Sequence, residues 1–247
     1  MDRLGKRLAS AGELSEDDLD LLLDVLTAHQ AAAEEVQERI GMLGYRATSR
    51  TKTTGVLIDK LRREKSSLKS VQDFAGARIV CERGRSEQDE VVAALTALFS
   101  DGARPVKVKD RRAEPSSGYR AVHLVVTVQD LPVEIQVRTW RQDQWAQIVE
   151  SLGDAWGRGI RYGEAPPDPD RPVMPGAPFT RQELWQSVLG LGELIHEVER
   201  LQLMVGPSGL ALGPATRKNL EASLHKAEKR LDDAMTLLES IRQHLPD

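Results

Sequence analysis

The stretch from Gly118 to Thr139 constrains the fold more than any other part of the chain. Two runs rich in β-branched residues, about 119–128 and 133–139, flank Asp130 and Pro132. That is the pattern of two strands joined by a short turn. Side chains along a strand alternate between faces. The second run therefore sends Val133, Ile135 and Val137 one way and Glu134, Gln136 and Arg138 the other. In the first run Tyr119 and His123 share a face, with the small Ala121 between them. A carboxylate, an amide, a guanidinium, a phenol and an imidazole thus project from one short piece of sheet. Taken alone, Glu134, Gln136 and Arg138 also suit an ordinary solvent-facing strand.

The elements around this hairpin alternate. A helix is expected over 15–43, with Ser15 and Asp18 forming an approximate capping box and Leu19, Leu22, Leu23, Leu26, Ile40 and Leu43 an apolar stripe. Residues 45–54 read as a polar, basic loop, followed by a helix over about 55–65. A strand is expected over 78–82, with Asp73 at its entrance and Gly76 easing the turn. An amphipathic helix follows over 86–99 and a short strand over 104–109. After Thr139 the pattern predicts a helix over 140–156, buried through Trp145, Ala146, Ile148, Val149 and Leu152. The result is an α+β fold: a mixed β-sheet of about five strands flanked by helices. Residues 163–178 hold six of the chain's 12 prolines and read as a stiff linker or wrapping loop. Helices over 180–204 and 214–244 form a C-terminal hairpin. The expected organisation is an N-terminal helical segment at 1–44, a central domain at 45–162, a linker at 163–179 and the helical hairpin at 180–247.

Charge narrows the partner class. The net charge is −4, so no global basic bias points to a long nucleic acid. Yet Arg46, Arg50, Lys52, Lys60, Arg62, Arg63, Lys65, Lys69, Arg78, Arg83 and Arg85 crowd one segment of an acidic protein. A local surplus of this kind suits a compact polyanion. Arg50 and Lys52, with Lys60 and Arg63 on one helix face, are placed to converge on phosphates. Asp73 alone would be a turn residue; beside Glu134, the two carboxylates would suit Mg²⁺. The single cysteine, Cys81, excludes an internal disulfide and fits a reducing compartment. The N-terminus lacks a signal-peptide pattern and no apolar run reaches the length of a membrane span. The expectation is a cytoplasmic protein with no membrane contact.

Several separated motifs resemble those of the RelA/SpoT-type (p)ppGpp synthetases, and the small single-domain alarmone synthetases in particular. They are Arg50-x-Lys52, Lys60-x-Arg62-Arg63, Gln72-Asp73-x-Ala75-Gly76-x-Arg78-Ile79, Lys109-Asp110, Gly118-Tyr119-Arg120-x-x-His123, Val133-Glu134-Ile135-Gln136-x-Arg138-Thr139 and Trp145-Ala146. They keep the family's order and approximate spacing over roughly 46–150.

The resemblance implies a nucleotidyltransferase-like synthetase fold. It implies transfer of pyrophosphate from ATP to the 3′-hydroxyl of GDP or GTP, with release of AMP, as in the alarmone synthesis of the stringent response. By the same resemblance Arg50 and Arg78 would sandwich the adenine, and Lys52, Lys60 and Arg63 would hold the ATP phosphates. Asp73 and Glu134 would bind Mg²⁺, with Glu134 also polarising the attacking hydroxyl. Tyr119 would stack on guanine, with His123, Gln136 and Lys109 around the acceptor. Asp143 stands where the small enzymes often have Asn, and would still accept hydrogen bonds from guanine. The small synthetases are commonly homotetramers, so a homo-oligomer through the terminal helices is expected.

The chain also departs from the family. Past Trp145-Ala146 the family often carries Glu-His and then Asn-Tyr-Lys; here stand Val149-Glu150 and Gly153-Asp154-Ala155. Two alternatives follow. One keeps the donor chemistry but uses adenosine nucleotides or the 3′ end of tRNA as acceptor. The other is a non-catalytic nucleotide-binding protein, against which Asp73 and Glu134 both stand.

Overall fold

The computed structural model describes residues 7, 15–51, 75–101, 104–206, 209 and 211–244. Their sheet has five strands: β1 (Thr48–Thr51), β2 (Ala75–Cys81), β3 (Lys107–Asp110), β4 (Val122–Val128) and β5 (Leu131–Thr139). The spatial order is β1-β2-β5-β4-β3. The sheet is mixed, with β1–β2 and β4–β5 antiparallel. Five helices accompany it: α1 (Glu16–Met42), α2 (Arg85–Leu98), α3 (Trp140–Trp156), α4 (Arg181–Val205) and α5 (Pro214–Arg242). A 3₁₀ turn spans Arg158–Tyr162. Among the described residues, no helix is long and apolar enough to cross a membrane.

The hairpin forms where the β-branched runs place it. Val122 pairs with Val137 and Val128 with Leu131, leaving Gln129 and Asp130 as a two-residue turn. Both turn residues have positive φ, 51° and 61°, as a type I′ turn requires. Burial along β4 alternates strictly, the period-2 signature of a sheet with one covered face. The first strand is shorter than its sequence suggests. Ser117 and Gly118 take φ of 53° and 83°, and Tyr119 bonds back to Ser116, so the chain turns before it extends. Tyr119 therefore lies in that turn and not on the strand face of His123.

Two other expectations change. Residues 48–51 are not loop: they pair with β2, Thr48 opposite Arg78 and Arg50 opposite Gly76. Gly76 lies inside β2 and does not ease a turn. Its role is close approach, because a Cβ there would fall well inside 3.0 Å of the Glu134 carbonyl oxygen on β5. The expected helix over 55–65 lies outside the described residues.

The chain packs as two compact units. One comprises 1–80, 90–109 and 122–137; the other comprises 81–89, 110–121 and 138–247. In the first, α1 packs on β1 and β4. Ser15 caps α1 by accepting from the Asp18 amide at 3.2 Å. The buried face of α1 is Leu22, His29, Ala32, Ala33, Val36 and Ile40, while Leu19, Leu23 and Leu43 of the expected stripe are exposed. The core of the second unit is helical: Trp145, Leu152 and Trp156 of α3 meet Leu184, Val188 and Ile195 of α4 and Leu231, Met235 and Leu238 of α5. Val173, from the proline-rich stretch, joins that core, and Pro172 bridges to Thr180 just before α4.

Candidate active site

Glu134 is the centre of the polar group in the first unit. Its position on β5 sets it diagonally across the hairpin from His123, which pairs with Gln136. His123 Nδ1 lies 2.8 Å from Glu134 Oε1, and Gln136 Nε2 donates to Oε2 at 3.0 Å. An ionised carboxylate only accepts, so the ring nitrogen that faces Glu134, Nδ1, carries a proton. The two contacts fix both the rotamer of Glu134 and the orientation of the ring. Both side chains are largely buried, 19% and 14% exposed, yet they retain an open side. The carboxylate is thus held in place by two neighbours on the same sheet face, as a positioned base or a hard-metal ligand must be.

Arg78 lies on β2, and the backbone register sets Arg50 opposite Gly76 on the adjacent strand. Lys109 is exposed on β3, the last strand in the sheet order. Lys52, Lys60, Arg63 and Asp73 lie outside the described residues, as does the side chain of Arg50. Among the described residues, no group of three or more His, Cys, Asp or Glu side chains could hold a metal ion.

A second polar group forms in the other unit, around Arg138. Read as part of the projecting face of β5, this guanidinium is instead 1% exposed. Arg138 Nη1 donates to Asp143 at 2.9 Å and Nη2 to the Tyr119 hydroxyl at 3.0 Å. Its carbon centre lies 5.0 Å from the Tyr119 ring centroid. Burial by itself would depress the guanidinium, but Tyr119 and Asp143 hold it above its ordinary value. Asp143 also accepts from Gln147 at 2.7 Å, so both of its oxygens are engaged. Arg138 is therefore a positioning residue for Tyr119 and Asp143, the two members of the expected acceptor set that the structure brings together here.

The loop carrying Tyr119 is seated from below. Gly118, at positive φ, faces Trp145, where a Cβ would come within 2.8 Å of the indole. Arg120, 4% exposed, donates to the Gly192 carbonyl at 2.9 Å and to Glu193 at 2.8 Å, both on α4. The C-terminal hairpin thus contributes directly to the placement of the tyrosine loop. The sequence signal was the Arg120 inside the Gly-Tyr-Arg motif, whose partners on α4 are 72 and 73 residues away.

A further buried network ties α3 to its neighbours. Thr139 and Gln142 form a capping box at the start of α3. Glu199 of α4 accepts from Thr139 Oγ1 and, at 2.8 Å, from Gln142 Nε2; Gln88 donates to Gln142 at 2.9 Å. Burial pushes the Glu199 carboxyl above its ordinary value, against the pull of these hydrogen bonds. The Thr-x-x-Gln spacing was a legible cap; Glu199 had no local signal.

The sheet, its order and these motifs define a fold shared with the small alarmone synthetases. The crystal structure of small alarmone synthetase 1 from Bacillus subtilis superposes with a TM-score of 0.54 at 24% identity, covering 73% of this chain and 93% of that one. Residues 49–152 match the model of the region found in RelA / SpoT proteins. An uncharacterized protein of Mycobacterium tuberculosis is 34% identical over 233 residues, 88% of this chain and 82% of that protein. The GTP pyrophosphokinase YjbM of Bacillus subtilis is 34% identical over 128 residues, 46% of this chain and 58% of that protein. The chain belongs to the RelA/SpoT family.

Proposed function

We propose that this chain is a pyrophosphokinase that transfers the β,γ-pyrophosphate of ATP to the 3′-hydroxyl of GDP or GTP and releases AMP. The observation that carries the reading is the Glu134 carboxylate fixed between His123 and Gln136 in a RelA/SpoT chain. In this reaction the 3′-oxygen bonds to the β-phosphorus, the bond from that phosphorus to the α,β-bridging oxygen breaks, and the hydroxyl proton leaves to a base. Glu134 suits that base, since both neighbours hold it oriented. Such transfers depend on positioning and charge neutralisation more than on covalent chemistry.

Mg²⁺ is the cofactor this reading calls for, and when bound it would neutralise phosphate charge. The hard oxygens of Glu134 fit it, with Asp73 as the expected second carboxylate. Arg50, Lys52, Lys60, Arg63 and Arg78 would bind ATP. Tyr119 would stack on the acceptor base, with His123, Gln136, Lys109 and Asp143 completing its site. A Bacillus subtilis small alarmone synthetase of this fold binds its product pppGpp, which supports a guanosine acceptor here. The exposed Leu19, Leu21 and Leu23 of α1 support self-association.

One observation favours a second acceptor. Asp143 already takes hydrogen bonds from Arg138 and Gln147, which reduces what it offers to guanine. The same donor chemistry would then act on an adenosine nucleotide or the 3′ end of tRNA. Incubation with labelled ATP, Mg²⁺ and GDP, GTP, ADP or tRNA in turn, with mass spectrometry of the product, decides between them. A 3′-pyrophosphorylated guanosine nucleotide supports the first reading. Release of no AMP with any acceptor would end both.

A further inference from the structure

The loop between β2 and α2 shares a cavity of about 350 Å³ with the start of α3 and the last turns of α4. This is the lower end of the size range of small-molecule sites. It shares no residue with the groups around Glu134 and Tyr119. Three arginines line it. Arg83 is exposed and reaches Glu87 at 3.6 Å. Arg141 is 8% exposed; it donates to Asp232 at 3.0 Å and lies 4.8 Å over the Trp140 ring. Its buried Nε has no acceptor among the described residues. Arg85 is half-buried and makes neither a hydrogen bond nor an ion pair among them. Burial pushes its guanidinium below the ordinary value and the charge of Arg112 adds to that, against the pull of Glu199, Asp110 and Asp89.

Glu199, Asp110 and Asp89 act on Arg85 through space, but none of them takes a hydrogen bond from its guanidinium, which leaves that fork of donors open to a ligand. The guanidinium fork of Arg85, with the charge of Arg141 beside it on the same cavity lining, matches a phosphate, whose oxygens accept from such forks. Glu199, on the same lining, is 2% exposed and accepts from Thr139 and Gln142. Each carboxylate oxygen has a second lone pair, so Glu199 can still take a hydroxyl donor. A bare inorganic anion would meet that carboxylate as a like charge. A molecule that puts its anion on the arginines and a sugar hydroxyl on Glu199 avoids the conflict. Trp140, half-buried at the same wall, adds an aromatic surface.

We propose that this cavity is a binding site for a nucleoside phosphate, held by Arg85 and Arg141 at its phosphate and by Glu199 at its ribose. The site stands whether or not Glu134 takes part in chemistry.

Equilibrium dialysis of the full chain with labelled AMP and, separately, with orthophosphate tests it. The wild type is expected to bind AMP at this site more tightly than orthophosphate. Arg85→Gln should weaken that AMP binding at least about tenfold. AMP also suits the separate ATP set, so the comparison is repeated in an Arg78→Ala background, where the binding that depends on Arg85 should persist. Because Arg85 makes neither a hydrogen bond nor an ion pair among the described residues, Arg85→Gln should melt within a degree or two of wild type when no ligand is present. If it misfolds, Arg85→Lys replaces it; that variant keeps the charge but loses the fork and should bind AMP at intermediate strength. Unchanged AMP binding in Arg85→Gln would overturn the proposal. So would orthophosphate binding as tight as AMP, or no AMP binding by the wild type up to about 1 mM.

Discussion

Gly76→Ala adds one methyl group to β2, at the point where that strand lies closest to the main chain of Glu134. A Cβ at Gly76 would fall well inside 3.0 Å of the Glu134 carbonyl oxygen, 3.4 Å from its carbonyl carbon and 3.8 Å from its Cβ. The obstructing atoms are mostly backbone, so no side-chain rotation relieves the clash. Ordinary C···O approaches are about 3.3–3.6 Å, so β2 and β5 would have to part locally by roughly 1 Å. Overpacking of this kind costs about 1–3 kcal/mol. For a chain of this size each kcal/mol moves the melting point by roughly 2–4 °C, so Tm should fall by about 2–12 °C. A 1 Å misplacement of a reacting group is worth about 10²-fold in rate. The variant should therefore still fold, melt cooperatively and release AMP about 100-fold more slowly. Circular dichroism melts and AMP release from ATP plus acceptor read the two effects separately. Wild-type Tm would refute the close approach of the strands. A lowered Tm with wild-type turnover would show that the placement of Glu134 does not govern the rate.

Two further substitutions probe the second unit. Glu199 has its carboxyl raised above the ordinary 4.5 by burial, so its contribution to stability is full below that pH and is lost as pH climbs through the folded value. Glu199→Gln cannot titrate there, so its Tm relative to wild type should rise as pH increases from about 4.5; a difference that stays constant with pH would show that the carboxyl is not held high. Tyr119→Phe keeps the ring but removes the hydroxyl that accepts from Arg138, at a cost of about 1–3 kcal/mol in thermal or urea denaturation, with little change in acceptor KM. Tyr119→Ala also removes the stacking face, worth about 1–3 kcal/mol, and should raise acceptor KM roughly 5- to 150-fold; equal KM in both variants would exclude stacking.

The sequence showed the hairpin because its β-branched runs and turn residues act locally, and the same holds for the Ser15 cap and the two C-terminal helices. β1 escaped because Thr48–Thr51 is a four-residue polar edge strand with no apolar alternation to announce it. Tyr119 was placed on the strand by counting in twos, and the positive φ of Ser117 and Gly118 breaks that count. Periodicity put Arg138 beside Glu134 and Gln136 but could not say that Tyr119 and Asp143 would enclose it. Gly76 was legible as a glycine but not as the one residue small enough to lie under Glu134. Glu199 and Arg120 depend on contacts across 57 to 73 residues, which no local pattern carries.

The measurement closest to the central claim is AMP release from ATP and Mg²⁺ with GDP or GTP, compared between wild type and Glu134→Gln. The amide keeps the size of the side chain but loses its charge and basicity. Wild type should form AMP and a 3′-pyrophosphorylated guanosine nucleotide in equal amounts. Glu134→Gln should be slower by about 10²- to 10⁴-fold while still binding ATP. Equal rates in the two proteins would remove Glu134 from the reaction and contradict the account.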